Sequence, residues 1–320
     1  MTFAGSPERV EAQLVPEAGF DFDPFLVRGI PREPSVRTLR ALVLAARAPV
    51  AAHGILGRRK PDVVFGGGGF VAGPMVLAAA ARRIPAALSE ADAHLGLANR
   101  LALPFAKRVF LAYAIEGLEP PKHVVVGRPI PARSRATGRD EARRELGLPA
   151  AGPVLGVFGA LAGARSLNEL VVEAFGAVGP AVLHVTGERD YRSVRSRVTR
   201  DDYVVLPSTD RFGAALSAVD LVLGRAGGSV WEVAAAGKPA VLVPYPHATA
   251  DHQTKNAIHF QRAGGAIVVQ ESELGTVPAI VRSLLGDSGR LAGMADAMAR
   301  AAKPDAAREI ADGLVELARR

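Results

Sequence analysis

Short apolar runs rich in β-branched residues alternate with amphipathic stretches along most of the chain, and that rhythm admits few folds. Val63–Phe65, Ala86–Leu88, Val109–Ala112 and Val124–Val126 read as strands. After a break, Val154–Phe158, Val182–Val185, Val204–Leu206, Leu221–Leu223, Ala240–Val243 and Ala266–Val269 do the same. Helical patterns between most of them are the mark of parallel sheets with helical crossovers. The expected class is α/β, with two Rossmann-like doubly wound parallel-sheet domains. Pro129, Pro131 and the polar "ARSRATGRDEARR" interrupt the rhythm, which places the domains at 1–135 and 136–320. Two such domains facing one another enclose a cleft where the carboxyl ends of both sheets meet, and ligands of such sheets bind there.

Composition narrows the function classes. The 320 residues suffice for two domains, and 49% hydrophobic content is too high for a disordered chain. The absence of cysteine excludes disulfides and thiolate metal sites. "MTFAGSPERVEAQLVP" has no basic start followed by an apolar run, so the expected location is cytoplasmic. The uncharged stretch Val63 to Ala81 approaches the length of a membrane span. Gly66 to Gly69, Gly73 and Pro74 would weaken a helix through its middle, and a strand, a turn and a helix fit better. The formal charge of +7 suits an anionic partner such as a membrane face or a diphosphate, although arginine in an alanine-rich chain also reflects codon usage. Aromatic residues make up only 5% and do not interleave with basic ones, so nucleic acid is not expected.

Three glycine-rich turns sit between strand and helix: "FGGGGFVAGP" (65–74), "FGALAGARSLN" (158–168) and "GRAGGSVWE" (224–232). Glycine lets backbone N–H groups approach a phosphate closely, and three such turns point to a phosphate ligand. The third places Glu232 just inside a helix. By itself that position reads as a favourable dipole contact worth about 0.3–1 kcal/mol; any further role depends on the ligand that the turn holds. In "DHQTKN" (251–256), Asp251 reads as a helix cap and Gln253 carries a paired donor and acceptor. His247 and His252 have poor spacing for a metal and lack a third ligand, so no metal site is expected.

These blocks, together with "AGSPERVEAQLVPEAGF", "KPDVVFGGGGFVAGPMVLAA", "SEADAHLGLANRLALPFAKRVFLAY", "GRPI" and "RAGGSVWEVAAAGKPAVLVP", lie in an order that resembles the MurG family from the start to the last helix. That family transfers N-acetylglucosamine (GlcNAc) from UDP-GlcNAc to a lipid-linked acceptor, undecaprenyl-pyrophosphoryl-MurNAc-pentapeptide, with inversion. The resemblance implies a GT-B fold with the UDP-sugar held mainly by the second domain, by Gly163, Arg165, Thr209, Arg225, Gly227, Gly228, Ser229, Glu232, Gln253 and Thr254. Glu232 would take the ribose hydroxyls and Arg225 the diphosphate. Gly227, Gly228 and Ser229 would offer amides, and Gln253 would meet the GlcNAc hydroxyls, oriented by Asp251 and Asn256. No tightly bound cofactor is implied; Mg²⁺ accompanying the diphosphate stays open. On the acceptor side stand Gly68, Gly69, Gly73, Asn99 and Arg128, with Glu90 and Asp92 as the catalytic candidates.

The departures concern the acceptor side. "SEAD" (89–92) replaces the family's His-Glu-Gln-Asn, so Asp92 adds a carboxylate near an anionic acceptor. "GRPIP" puts Pro131 where the family has arginine, with Arg128 or Arg133 as candidates to compensate, and Leu161 replaces a small hydroxyl residue. The segment "SVRTLRALVLAARAPVAAHGILGRRK" carries Val36, Leu39, Leu42 and Val43 at helical spacing among Arg37, Arg40 and Arg47. It suits either an anionic membrane surface or a helix packed on the sheet; with the lipid acceptor in view, the expectation is a peripheral protein at the cytoplasmic face of the membrane. The first block matches the family's second strand, so the resemblance implies a preceding strand, a glycine loop ending in histidine and a helix, roughly 30–40 residues by usual element lengths. That histidine is the family's candidate base. A misplaced start, or a chain completed by a partner chain, are the two explanations. Two other readings remain: a different lipid or metabolite acceptor, and a sugar-nucleotide-binding subunit. No loop meets the G-x-G-x-x-G pattern with a later acid that a dehydrogenase needs.

Overall fold

The computed structural model describes residues 1–27, 36–159 and 163–319, without the side chains of 36–43 and 45. The chain forms two compact units, Met1–Val126 with Arg308–Arg320, and Gly127–Ala307. In the first, β1 (Thr2–Gly5) pairs in parallel with β2 (Asp21–Pro24). A separate parallel sheet holds β3 (Val64–Gly66), β4 (Ala86–Glu90), β5 (Arg108–Leu111) and β6 (His123–Val125) in sequence order. The second unit is built on β7 (Val154–Phe158), β8 (Ala181–Val185), β9 (Tyr203–Leu206), β10 (Leu221–Gly224), β11 (Ala240–Leu242) and β12 (Ala266–Val268). These make one six-stranded sheet, all parallel, in the order β12-β11-β10-β7-β8-β9.

Each strand foreseen after residue 150 is present within a residue or two, because a strand buried on both faces must be apolar throughout. Helices cover the sheet by ordinary helical spacing: Leu167, Val171 and Phe175 from Arg165–Phe175, and Val277, Val281 and Leu284 from Val277–Leu285, join one core with Leu155, Val157 and Leu223. Strand order reverses between β7 and β10, which are hydrogen-bonded neighbours. Phe158 and Gly224, their last residues, are register partners, so the two following glycine turns start side by side. A Cβ on Gly224 would stand 2.8 Å from the carbonyl oxygen of Phe158, which keeps that position glycine.

The strand–turn–helix reading of 63–81 holds: β3 leads through Gly68 (φ +100°) and Gly69 (φ +69°) into the helix Gly69–Ala81, whose Ala72, Val76 and Ala79 are buried. Among the described residues no helix is long and apolar enough to cross a membrane. The helix Val36–Arg59 exists, but the side chains of Val36 to Val43, on which its basic amphipathic face was read, lie outside the described residues, as does Leu161.

The expected division at 135 needs two corrections. The segment from Gly127 onward packs within the second unit: a Cβ on Gly127 (φ +82°) would overlap the Lys303 side chain and approach Trp231. The last helix, Ala306–Ala318, gives its end to the first unit, where Ile310 and Leu317 pack with Ala87, Phe110 and Val126. Arg108 pairs with Glu316 at 2.8 Å, and Gly313 lets the Phe110 ring approach.

Candidate functional site

The reversal of strand order in the second unit creates the crevice in which such sheets take ligands. At its centre the turn after β10 feeds the helix Val230–Ala235, with Ser229 at the N-cap and Glu232 in the first turn. The N–H groups of Gly227, Gly228 and Ser229 have no backbone acceptor among the described residues. The Glu232 carboxylate is half-buried and accepts a hydrogen bond from the hydroxyl of Ser134, a buried residue in the turn Ala132–Ser134. Sequence reading passed over Ser134, because it lies in a polar, proline-flanked stretch that resembles a linker.

Arg225 behaves differently from the expectation. Its Nη1 donates to the carbonyls of Val243 (3.2 Å) and Pro244 (3.3 Å) and to Glu271, and its Nη2 to Ser166 Oγ (2.9 Å) and Glu271 (3.3 Å). Its side chain is 9% exposed. The guanidinium is a clasp joining the ends of β10 and β11 to the helix after β7, rather than a free diphosphate contact. Burial pushes the Glu271 carboxyl up, but the hydrogen bonds from Arg225 and Ser166 and the charge of Arg225 outweigh it and hold it below the ordinary range. Glu271 and Ser166 had no signal in the spacing.

Gly163, on the turn after β7, has φ +74°, and a Cβ there would lie 2.3 Å from the carbonyl oxygen of Thr186. Only glycine lets the loops after β7 and β8 close on each other. Beneath them runs a buried polar chain with a fixed direction. The Asn168 amide nitrogen donates to Thr186 O (2.9 Å) and Asp190 Oδ2 (3.0 Å), so its Oδ1 must accept from His184 Nε2 (3.0 Å). His184 Nδ1 is then the acceptor for the Tyr203 hydroxyl at 2.9 Å. Burial pushes the His184 pKa down to about 3, which keeps the ring neutral. At the other end, Arg189 donates twice to Asp190 and holds that carboxyl below its ordinary range, while Arg165 stands 3.6 Å away. Arg165 is therefore near the crevice and mostly exposed.

Of the remaining donor-side candidates, Gln253 Oε1 accepts from the backbone N–H of Tyr245 (3.0 Å) and Thr254 Oγ1 donates to Asp251 (2.6 Å). Ala250 and Asp251 both carry φ +53°, a left-handed pair that aims the helix His252–Arg262. Asn256 is fully buried and donates to the carbonyl of Ala226, tying that helix to the glycine turn. Thr209 Oγ1 accepts from the N–H of Arg211 at 3.1 Å, in the loop after β9, three strands along the sheet from the turn of β10.

In the first unit, Glu90 is engaged by its own turn. Its carboxylate is buried at the end of β4 and accepts four hydrogen bonds: from the N–H of Ala91 (3.0 Å), Asp92 (3.4 Å) and Gly96 (2.9 Å), and from Asn99 Nδ2 (2.9 Å). Asn99 Nδ2 also donates to Ser89 O. Glu90 and Asn99 thus fold the turn, and Gly73 is buried within the helix Gly69–Ala81. Asp92 is half-buried on the turn they shape. Arg128, expected with the acceptor side, belongs to the second unit, where its guanidinium lies against Gly228. Among the described residues no three His, Asp or Glu side chains cluster as metal ligands.

Two family profiles match this chain: the N-terminal domain of glycosyltransferase family 28 over residues 2–111 and its C-terminal domain over 154–310. A UDP-N-acetylglucosamine–N-acetylmuramyl-(pentapeptide) pyrophosphoryl-undecaprenol N-acetylglucosamine transferase of Halothermothrix orenii is 36% identical over 94% of this chain and 87% of that protein. The enzyme of the same name from Mycobacterium avium is 38% identical over 100% of this chain and 81% of its own. The crystal structure of Acinetobacter baumannii MurG superposes with a TM-score of 0.80 at 27% identity, covering 98% of this chain and 90% of that one. With two parallel-sheet units and a glycine-turn crevice in the second, the chain belongs to the MurG family of GT-B glycosyltransferases.

Proposed function

We propose that the chain transfers GlcNAc from UDP-GlcNAc to MurNAc-pentapeptide carried on pyrophosphoryl-undecaprenol, a step of peptidoglycan synthesis. The observation that carries the donor half is Glu232. It stands in the first helical turn beside three amides without backbone acceptors, at the reversal of strand order, and is oriented by Ser134. A carboxylate there accepts from two vicinal hydroxyls of the ribose, and the amides face the diphosphate. The acceptor hydroxyl oxygen forms a bond to the anomeric carbon from the face opposite UDP, the bond from that carbon to the phosphate oxygen breaks, and UDP leaves with the electron pair. The hydroxyl proton passes to a base. Glu90 is committed to its turn, so Asp92 is the carboxylate of the pair proposed to face the acceptor. Mg²⁺ accompanying the diphosphate is part of the substrate in this scheme.

Replacing Glu232 by Ala should weaken UDP binding by about 1.5–3 kcal/mol, the usual range for hydrogen bonds to a charged group. Calorimetric titration with UDP checks this, and an unchanged affinity sinks the assignment. The membrane side is supported by Leu97, Leu101 and Phe105, exposed at i, i+4 and i+8 beside exposed Arg100 and Lys107. An apolar stripe with basic neighbours suits the anionic, cytoplasmic face of the membrane, where a lipid-linked acceptor is held. The replacement of the family's His-Glu-Gln-Asn by Ser89, Glu90, Ala91 and Asp92 favours a second reading, a related transferase with another lipid acceptor. Transfer from labelled UDP-GlcNAc to a panel of acceptors separates the two.

A further inference from the structure

We infer that Arg128, not Arg225, supplies the side-chain cation for the diphosphate of the nucleotide donor; the inference rests on the donor reading above. A diphosphate needs a positive group whose donors are not already spent. Arg225, the arginine that the spacing favours, has both Nη atoms committed to Glu271, Ser166 and two carbonyls, and Glu271 balances its charge. Arg165 is exposed and stands near Asp190. Arg128 differs on each count. It is half-buried, it has no carboxylate partner among the described residues, and a Cβ on Gly228 would fall 2.0 Å from its Nη1 and 2.8 Å from its Nη2. The guanidinium therefore lies directly over the α-carbon of Gly228, on the turn whose amides await an anion and four residues before Glu232.

The backbone holds it there. Gly127 is in a left-handed conformation, pressed between Lys303 and Trp231, and admits no side chain. Pro129 restricts Arg128 itself to extended backbone. Six residues further on, Ser134 reaches Glu232. The stretch 127–134 thus forms one wall of the donor crevice, with a cation at the diphosphate end and a hydroxyl at the ribose end. Its planar, five-donor group suits two phosphates better than a lysine would.

The same chemistry is offered by the pyrophosphate of the lipid acceptor, so the test must separate the two sources. The full chain and its Arg128→Ala and Arg128→Lys variants would be titrated with UDP and with uridine, and the KM for the lipid-linked acceptor measured alongside. The expected result is a UDP affinity roughly ten- to a hundredfold weaker in Arg128→Ala, partly restored in Arg128→Lys, with uridine binding and acceptor KM unchanged. The salt dependence of UDP binding should also flatten. A raised acceptor KM with unchanged UDP affinity would assign Arg128 to the acceptor and overturn the inference. Tighter UDP binding in Arg128→Ala would overturn it too, making the side chain a plug. A wild-type chain that binds UDP, with Glu232→Ala weakened as expected, shows that the donor reading stands whichever way Arg128 falls.

Discussion

The two units use the end of a parallel strand in opposite ways. In the second, β7 and β10 are neighbours across a reversal of strand order, and the turns that follow them diverge around a crevice. Polar groups there are tied to one another from behind, by the Arg225 clasp and the His184 chain, while the glycine amides and Glu232 face outward. In the first unit β3 to β6 run in sequence order without a reversal, and β1 and β2 pair separately. There Glu90, at the end of β4, turns inward and satisfies the backbone of its own loop. A glutamate at a strand end is therefore no sign of chemistry by itself. What separates Glu232 from Glu90 is how many donors the protein has already given it.

The contrast breaks most readily at Gly163. Alanine there meets both a left-handed φ of +74° and the Thr186 carbonyl, against backbone that cannot swing aside. The expected cost is about 2–4 kcal/mol of stability, with loss of UDP binding even where the chain folds. Chemical denaturation and UDP titration of Gly163→Ala check it; a variant with wild-type stability and affinity would mean that the two loops need not close together.

Next in size is Glu90→Ala. If the carboxylate holds the turn, its removal strands three backbone N–H groups and leaves the Asn99 amide nitrogen with Ser89 O as its remaining acceptor, at a cost of about 2–3 kcal/mol. UDP affinity, which belongs to the other unit, should stay unchanged. A variant with unaltered melting temperature and a collapsed kcat would restore Glu90 as a base and erase the contrast.

Much of this was legible in the residues. Buried parallel strands are apolar on both faces, so β3 to β12 stand out of the text, and glycine turns mark their carboxyl ends. β2 did not, because "DFDP" is half charged and carries a proline. The unit boundary failed for a related reason: proline and arginine in 127–135 read as linker, whereas Arg128 lies against Gly228 and Ser134 reaches Glu232, on a turn and helix that exist only once β10 has folded. The last helix has an ordinary amphipathic pattern, and nothing local says that Phe110 and Ala87 are its partners. Spacing likewise names the arginine nearest the turn, Arg225, but says nothing of the five acceptors around it. Family motifs fix position along the chain; the occupancy of a donor or a lone pair is a property of the packed state.

The smallest expected effect sharpens the contrast by asking whether the second unit's site is wired to its core. His184 is neutral because burial takes its pKa from about 6.5 in the unfolded chain to about 3. Between those values the unfolded chain binds a proton that the folded one does not, so stability falls as the pH falls. The slope is at most about 1.4 kcal/mol per pH unit, and above pH 6.5 this group contributes none. His259, pushed down by burial and by Lys303, adds to the same trend, and Asp190 and Glu271 join only in the carboxylate range, where their protonation breaks their arginine pairs. Urea midpoints between pH 7 and 5 should therefore decline for the wild type and decline much less for His184→Gln. The Tyr203→Phe variant, which removes the hydroxyl donor to Nδ1, should lose about 1 kcal/mol at neutral pH and keep the slope. Equal slopes in the wild type and His184→Gln would mean that the ring is not held neutral, and the directed chain from Tyr203 to Asp190 would lose its central link.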